Sequence, residues 1–218
     1  AIVCLGFIFC FMIPVQADIK PDLPQGKRRL SIQDFVEKKA LFVFLMGMII
    51  SFCYASIMAV ISTFAASKNL LAYASLFFIV FAVSMMSLRP FTGKIYDRLG
   101  ASYVIYPAIA MFCIGLIILS QVDSAVGLMV AAVFVGMGFG SAQPCLQTLS
   151  IQRAPKERIG HATSTFFTCY DLGIAIGSIL LGIVITQYSY SFAYLLCAFI
   201  AALSLLFYRL YVAQPQNA

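Results

Sequence analysis

The sequence predicts an all-α, polytopic membrane protein built as a bundle of six transmembrane helices. Two observations carry this prediction. First, 62% of the 218 residues are hydrophobic and the mean hydropathy is +0.99, which is more apolar surface than a soluble domain of this size can bury. Second, the apolar residues form runs of about 20, the length that an α-helix needs to cross a hydrocarbon core of roughly 30 Å.

Six such runs follow one another after residue 40, separated by short polar breaks, so consecutive helices are expected to form antiparallel hairpins. They lie at 41–62, 70–88, 103–120, 125–150, 162–186 and 191–212. An earlier apolar run, residues 2–14, is too short to span comfortably. It fits either a signal peptide or the end of a preceding helix.

The basic residues decide between these two interpretations, because Lys and Arg are retained on the cytoplasmic side of a membrane. Of the 14 basic residues, all except Lys68 precede the first full run, follow the second or fourth, or lie at the end of the sixth. This distribution predicts a multi-pass protein of the cell membrane with both ends of the six-helix block in the cytoplasm. A cleaved signal peptide would export the basic residues of the segment before residue 41, so the end of a preceding helix is favoured.

The chain therefore divides into four parts. Residues 1–14 are interpreted as the end of a transmembrane helix, 15–40 as a cytoplasmic linker, 41–212 as the helical bundle and 213–218 as a cytoplasmic tail. Within the linker, Ser31 lies three residues before Asp34, and apolar residues recur at helical spacing, which predicts a short amphipathic helix on the membrane surface.

Composition also argues against two classes of partner. The net charge of +6 is explained by the topology and by the anionic inner leaflet, so no nucleic-acid partner is predicted. The seven cysteines lie inside apolar runs without close pairs, which favours packing over disulfides or metal ligation. No metal site and no cofactor is predicted.

Polar and small residues fall on a single face in three of the runs when each is projected at 100° per residue. The first face comprises Gly47, Ser51, Tyr54, Met58 and Ser62; the second, Gly136, Gly140, Gln143, Gln147 and Ser150; the third, Ser164, Thr168, Asp171, Ala175, Ser178 and Gly182. Such faces line a water-filled cavity or pack against another helix, and both interpretations stay open here.

Small residues favour packing, because they let membrane helices approach closely. Gly136 with Gly140, and Gly173 with Gly177, are pairs of this kind. The two glutamines of the second face are equally compatible with cavity lining and with interhelical hydrogen bonds.

Asp171 is the most unusual single residue. It lies about ten residues from the cytoplasmic end of its predicted span, or roughly 15 Å deep, near the bilayer midplane. A carboxylate at that depth is a candidate for proton coupling, and the alternative is a hydrogen-bonded Asp that holds helices together. His161, the only histidine, lies at the membrane boundary and is interpreted as an interfacial residue.

Residues 89–100, RPFTGKIYDRLG, concentrate charge after the second run, where we expect a cytoplasmic loop. Four of these residues, Gly93, Asp97, Arg98 and Gly100, fit the pattern Gly-x-x-x-Asp-Arg-x-Gly. The glycines would permit a tight turn, Asp97 would stabilise the N-terminus of a nearby helix, and Arg98 with Arg89 would pair with carboxylates or lipid phosphates. A plain positive anchor explains the basic residues but not the spacing.

This pattern resembles the cytoplasmic loop signature of the major facilitator superfamily, which joins helices two and three and recurs more weakly between helices eight and nine. Residues 133–167 and 170–182 also resemble helices ten and eleven of bacterial drug:proton antiporters in that family. The resemblance implies that the chain is the C-terminal half of a twelve-helix fold. Residues 1–14 would end helix six, and the six-helix N-terminal half would be the partner against which Asp97 latches one conformational state.

The resemblance further implies a secondary active transporter that moves a small molecule by alternating access, as a proton-coupled efflux protein driven by the proton gradient. Asp171 would couple the proton. The expected substrate path comprises Tyr54, Met58, Phe81, Gln143, Gln147 and Tyr170. Three alternatives remain: a sugar or organic-acid importer or facilitator of the same superfamily, an intramembrane enzyme, and a non-transporting scaffold or receptor. The enzyme lacks a cluster of catalytic side chains, and the scaffold has no use for the loop motif.

Overall fold

The computed structural model describes the backbone of residues 38–155 and 158–212, and the side chains of residues 41–155 and 158–210. The interpretations of residues 1–37 as a helix end, a linker and a surface helix lie outside these ranges. So does the predicted tail at 213–218.

Seven α-helices form within the described residues. They are α1 Lys38–Met58, α2 Ile61–Ser67, α3 Ala74–Leu99, α4 Ala101–Ser120, α5 Ala125–Gln152, α6 Ile159–Gln187 and α7 Tyr190–Phe207. A 3₁₀ turn at Leu71–Tyr73 leads into α3, and a π turn at Tyr208–Val212 follows α7. All of these helices except α2 are long and apolar enough to cross a membrane. The predicted all-α fold with six spans is confirmed.

Short polar caps begin two of the helices. The Ser124 hydroxyl accepts a hydrogen bond of 3.2 Å from the Gly127 amide at the start of α5, and Ser189 accepts an equivalent bond of 3.2 Å from Phe192 at the start of α7. Each hydroxyl satisfies an amide that has no partner inside its helix. Both helices therefore start, directly after a short connection, at a residue that favours helix initiation.

The first predicted run is not a single helix through residue 62. α1 ends at Met58, and a turn at Ala59 and Val60 separates it from α2. Because of the interruption, Ser62 does not continue the polar face of α1.

The charged stretch at residues 89–100 is not a loop, contrary to the prediction. α3 continues through it to Leu99. Because α3 has 26 residues, it is about 39 Å long, so its end projects beyond a hydrocarbon core of roughly 30 Å. Lys and Arg are good helix formers, so the run of charge ends the membrane segment without ending the helix.

The same correction applies to the two glycines of the motif. Gly93 lies in the interior of α3 and makes no turn. Gly100 has φ of +94°, a conformation that residues with a Cβ rarely adopt. The tight turn from α3 into α4 therefore depends on Gly100 alone.

Helices α1 and α5 lie at the centre of the bundle and contact each other. α6 packs on α1, α3 packs on α5, and α4 and α7 pack together behind them. Of the residues in the membrane-crossing windows of α1 and α5, 61% and 56% are buried, against 22% in α3 and 17% in α6. The outer faces of α3 and α6 are therefore the most open surfaces of the bundle.

Glycines set the close contact between α1 and α6. A Cβ at Gly173 would lie 2.4 Å from the carbonyl oxygen of Met48, and one at Gly177 would lie 2.7 Å from that of Phe52. Both distances are shorter than van der Waals contact, so the two helix backbones approach more closely than any larger residue would allow.

The contact between α3 and α5 has the same construction. A Cβ at Gly136 would lie 2.6 Å from the carbonyl oxygen of Phe81, and one at Gly140 would lie 2.8 Å from the Cα of Met85. Gly138 makes an equally close approach to α4, where the Phe112 amide nitrogen would be 2.5 Å away. Glycines at residues 136–140 thus let α5 contact helices on two sides.

We expect Gly173→Ala to destabilise the bundle, because the new methyl group meets backbone that cannot move aside. Overpacking of this kind costs on the order of 1–3 kcal/mol. The measurement is the fraction of detergent-solubilised protein that remains monodisperse after heating.

Gly182→Ala, in the same helix, is the matched control, because nothing lies within 4 Å of its Cβ position. It should be neutral or slightly stabilising. Equal thermal stability of the two variants would contradict the packing argument.

Candidate functional site

A cavity of about 380 Å³ lies between α3 and α5. Its volume falls in the range of small-molecule sites, about 300–1,000 Å³. It is lined by Arg89, Thr92, Gly93, Tyr96 and Asp97 of α3 and by Gln143, Pro144, Cys145, Gln147 and Thr148 of α5. The cavity thus joins two groups of residues that the sequence identified separately, the charged motif and the glutamines.

The wall from α3 presents opposite charges. Because the motif is helical, Arg89, Gly93 and Asp97 follow at intervals of four residues and lie on one face. The two charged residues are eight positions apart, about 12 Å along the axis. Gly93 lies between them and has no atom within 4 Å of its Cβ position, so this part of the wall stays open.

The wall from α5 presents amides. Gln143 and Gln147 are four residues apart and half-buried, and each amide can donate and accept hydrogen bonds. Pro144 lies inside the helix and supplies no backbone N–H. The Thr148 hydroxyl donates a hydrogen bond of 2.9 Å to the Pro144 carbonyl. This bond fixes the Thr148 side chain beside the two glutamines.

One end of the cavity is held by a hydrogen bond between its two helices. The Tyr96 hydroxyl donates 2.8 Å to Oε1 of Gln152, the last residue of α5. Burial lowers the pKa of the adjacent Arg153 guanidinium, and the nearby Tyr208 and Tyr96 oppose that shift. This end of the bundle therefore combines a half-buried cation with two nearby phenol groups.

An aromatic cluster lies one helical turn from Gln143. The rings of Tyr54 and Phe139 stack with centroids 3.8 Å apart, and Phe81 lies 6.1 Å from Tyr54. Tyr170 lies 6.5 Å from Phe139. The cluster brings together residues of α1, α3, α5 and α6, including three of the residues expected along the substrate path.

Phe139, at the centre of this cluster, was missed by the sequence analysis. It is an apolar residue in an apolar span, and it lies beside the polar face without belonging to it. Its glycine neighbours at 138 and 140 were the available signal, because they mark where α5 is approached on both sides of this ring.

The polar face of α1 does not line the cavity. A Cβ at Gly47 would lie 2.8 Å from the ring of Phe166, and Ser51 is fully buried with its hydroxyl donating 3.0 Å to the Met48 carbonyl. Both residues therefore pack against α6. Met58 lies at the end of α1 with 43% of its surface exposed, and it does not line the cavity.

Asp171 is also outside the cavity. It lies twelve residues after the start of α6, about 18 Å along the helix, on the side away from Gly173 and Gly177. Its side chain is exposed and has no hydrogen bond or ion pair with another described residue. The polar face of α6 thus points away from the rest of this bundle.

We expect the cavity to admit water-soluble reagents along α5. In a background without the seven native cysteines, Gln147→Cys should react readily with a charged maleimide in membranes. Ser150→Cys, one turn away and with 0% of its surface exposed, is the control and should react several times more slowly. Labelling of Gln147→Cys as slow as that of the buried Ser150→Cys would show that the glutamine face is closed to water.

The sequence model of the family described as Major Facilitator Superfamily matches residues 1–178. The uncharacterized MFS-type transporter YwoD of Bacillus subtilis (strain 168) is 26% identical over 136 residues, which are 61% of this chain and 30% of that protein.

Solved structures of similar fold include a mutant of the peptide transporter POT in complex with alafosfalin, with a TM-score of 0.66 and 19% identity over 79% of this chain and 38% of that one. A POT family transporter in complex with a thioalcohol conjugated peptide has a TM-score of 0.69 and 20% identity over 83% of this chain and 39% of that one. At these identities the likeness concerns the fold alone. The chain spans about a third of the length of these relatives.

Proposed function

The chain belongs to the Major Facilitator Superfamily, and from this premise we propose that it forms the C-terminal half of a secondary active transporter. The transporter moves a small molecule across the membrane by alternating access. The observation that carries this proposal is the cavity between α3 and α5, where a pair of opposite charges faces two amides at small-molecule volume.

The partner of this bundle is a second six-helix half. The open faces of α3 and α6, with 22% and 17% of their residues buried, would pack against it. Rocking of one bundle against the other then exposes a central site to each side of the membrane in turn. Residues 1–14 would end the last helix of that half, and residues 15–40 would link the halves.

The basic end of the bundle faces the cytoplasm in this proposal. Arg98 at the end of α3, Arg153 after α5 and Arg209 after α7 lie at one end, whereas Lys68 lies at the other and pairs with Asp123. The positive-inside rule then places the linker, the tail and the mouth of the cavity on the cytoplasmic side.

The substrate path runs from the cavity toward the aromatic cluster. Gln143 and Gln147 supply hydrogen bonds that orient the substrate, while Tyr54, Phe81 and Tyr170 form an aromatic wall one turn deeper. Met58 contributes only if the path continues to the far end of α1. Gly100 and Asp97 form part of a latch that holds one state when the second half contacts α3.

Asp171 couples transport to the proton gradient. A carboxylate inside the membrane is costly unless it faces water, protein or a proton, and its exposed side chain lies on the face available to the second half. Protonation in one state and release in the other would drive efflux. No cofactor is required, because the gradient supplies the free energy.

A second candidate is an importer or facilitator of an anionic or zwitterionic metabolite. The observation in its favour is Arg89, which the sequence placed in a loop and the structure places in the cavity wall. The POT transporters of similar fold, one of which is in complex with a thioalcohol conjugated peptide, are compatible with this candidate. An intramembrane metalloenzyme has less support, because within the described residues no three His, Cys, Asp or Glu side chains are placed to hold a metal.

We expect Asp171→Asn to abolish transport driven by a pH gradient in vesicles that contain the complete transporter, because the amide cannot carry the proton. Exchange of substrate between equal concentrations should persist. Asp123→Asn is the matched control, since that carboxylate lies at the bundle surface in an ion pair with Lys68. Gradient-driven transport by Asp171→Asn at the wild-type rate would exclude this residue as the coupling group.

We expect Arg89→Gln to separate the two candidate functions. If the substrate is an anion or zwitterion, loss of the charged donor should weaken its binding roughly tenfold or more, as measured by the KM for transport. Arg209→Gln removes a charge at the same end without lining the cavity and should leave the KM unchanged. An unchanged KM in both variants would favour the export of neutral or cationic compounds.

A further inference from the structure

The last turns of α3, residues 90–99, are attached to the bundle by little more than one side chain. Of residues 89–100, only Tyr96 is buried, with 8% of its surface exposed, and only Thr92 is half-buried. The remaining side chains of this stretch are exposed. A segment with so little buried surface is held weakly against its neighbours, so its position depends chiefly on Tyr96.

This segment has a loosened point at each end. Before it, α3 is fixed at Met85, whose Cα would lie 2.8 Å from a Cβ at Gly140. Pro90 then lies inside α3, where it removes one backbone hydrogen bond and favours a bend. At the other end Gly100, with φ of +94°, forms the turn into α4.

The start of α4 is held without help from α3. The hydroxyls of Ser102 and Tyr208 share a hydrogen bond of 3.0 Å, and Tyr106 packs edge-on against the Tyr208 ring with centroids 5.3 Å apart. These contacts join α4 to the turn that follows α7. Residues 90–99 can therefore move about Gly100 while α4 stays in place.

Tyr96 connects the segment to the opposite wall of the cavity. Its side chain lines the cavity beside Cys145 of α5, and the phenol lies close to that thiol. Its hydroxyl donates 2.8 Å to Oε1 of Gln152. Because Gln152 is exposed, water can replace the Tyr96 hydroxyl, and a bond that water can replace is broken at small net cost.

We propose that residues 90–99 are a lid over the cavity between α3 and α5, closed by the Tyr96–Gln152 hydrogen bond. The lid opens by a bend at Pro90 and a turn at Gly100, which withdraws the Tyr96 ring and uncovers Cys145. This motion lies within one half and is distinct from the rocking of two halves. The lid acts on the cavity of the proposed transporter and so rests on that function, but its test measures labelling and not transport, so either can fail without the other.

Labelling of Cys145 by a permanently charged methanethiosulfonate reports opening, because this thiol lines the cavity with only 6% of its surface exposed. All other cysteines of the complete transporter are replaced by serine, and the reaction rate is measured in membranes. Tyr96→Phe keeps the ring and removes the hydroxyl. We expect it to speed labelling about fivefold, the change in population that follows the loss of one neutral hydrogen bond.

Cys113 is the matched control. It is buried to a similar degree, with 8% of its surface exposed, but it belongs to α4 and does not line the cavity. In a background that retains only Cys113, Tyr96→Phe should leave the labelling rate unchanged.

Gln152→Ala removes the other partner of the same hydrogen bond. It should speed labelling of Cys145 by the same factor as Tyr96→Phe. The double variant should react no faster than either single variant, because two changes that remove one interaction are not additive.

Pro90→Ala tests the bend, because alanine restores the missing backbone hydrogen bond and stiffens α3. It should slow the labelling of Cys145 by about twofold or more. Pro107→Ala, inside α4 and outside the cavity lining, should leave that rate unchanged.

Unchanged labelling of Cys145 in Tyr96→Phe would overturn the lid. So would a rise of the same size at Cys113, because the whole bundle would then be loosened. Additive effects of Tyr96→Phe and Gln152→Ala would show that the bond between them is not the closure. A Pro90→Ala rate at or above that of the wild type would rule out a lid that bends at this residue.

Discussion

In hydrocarbon, each unpaired backbone N–H or C=O costs several kcal/mol, so the chain must satisfy its peptide groups within helices before any tertiary contact forms. Lipid tails are as apolar as Leu, and burying apolar side chains between helices therefore gains little. What remains is close packing. α1 against α6, and α3 against α5, meet at glycines whose Cβ positions fall within 2.4–2.8 Å of the facing backbone. α4 meets α5 in the same way, at Gly115 and Gly138.

This constraint explains why the six spans could be predicted and their ends could not. Length and hydropathy follow directly from the thickness of the hydrocarbon, and the spans read from them match the helices. Charge marks where the hydrocarbon ends, but the backbone of α3 continues past Arg89 to Leu99, because water permits a helix as readily as a loop. The turn after Met58 carries no such mark, because no charged residue lies between Lys39 and Lys68.

The candidate site could be predicted only in part, because helical periodicity identifies a face without showing what that face meets. Gly47 and Ser51 share a face with Tyr54, yet the first two pack against α6 and Tyr54 stacks on Phe139. Gln143 and Gln147 lie on a face with Gly136 and Gly140, which are covered by α3. Only the tilt and approach of neighbouring helices separate the covered turns from the open ones, and a single sequence does not contain that information.

α3 is the element on which these features converge. Its last three turns line the cavity, and they are continuous with the segment held against α5 at Gly136 and Gly140. α3 stays helical through these turns, although Pro90 removes one backbone hydrogen bond near their start. Gly100, with its positive φ, is the joint at its end. Rocking of α3 in the proposed cycle would therefore change the cavity, so a substrate held there would bias the equilibrium between the two states.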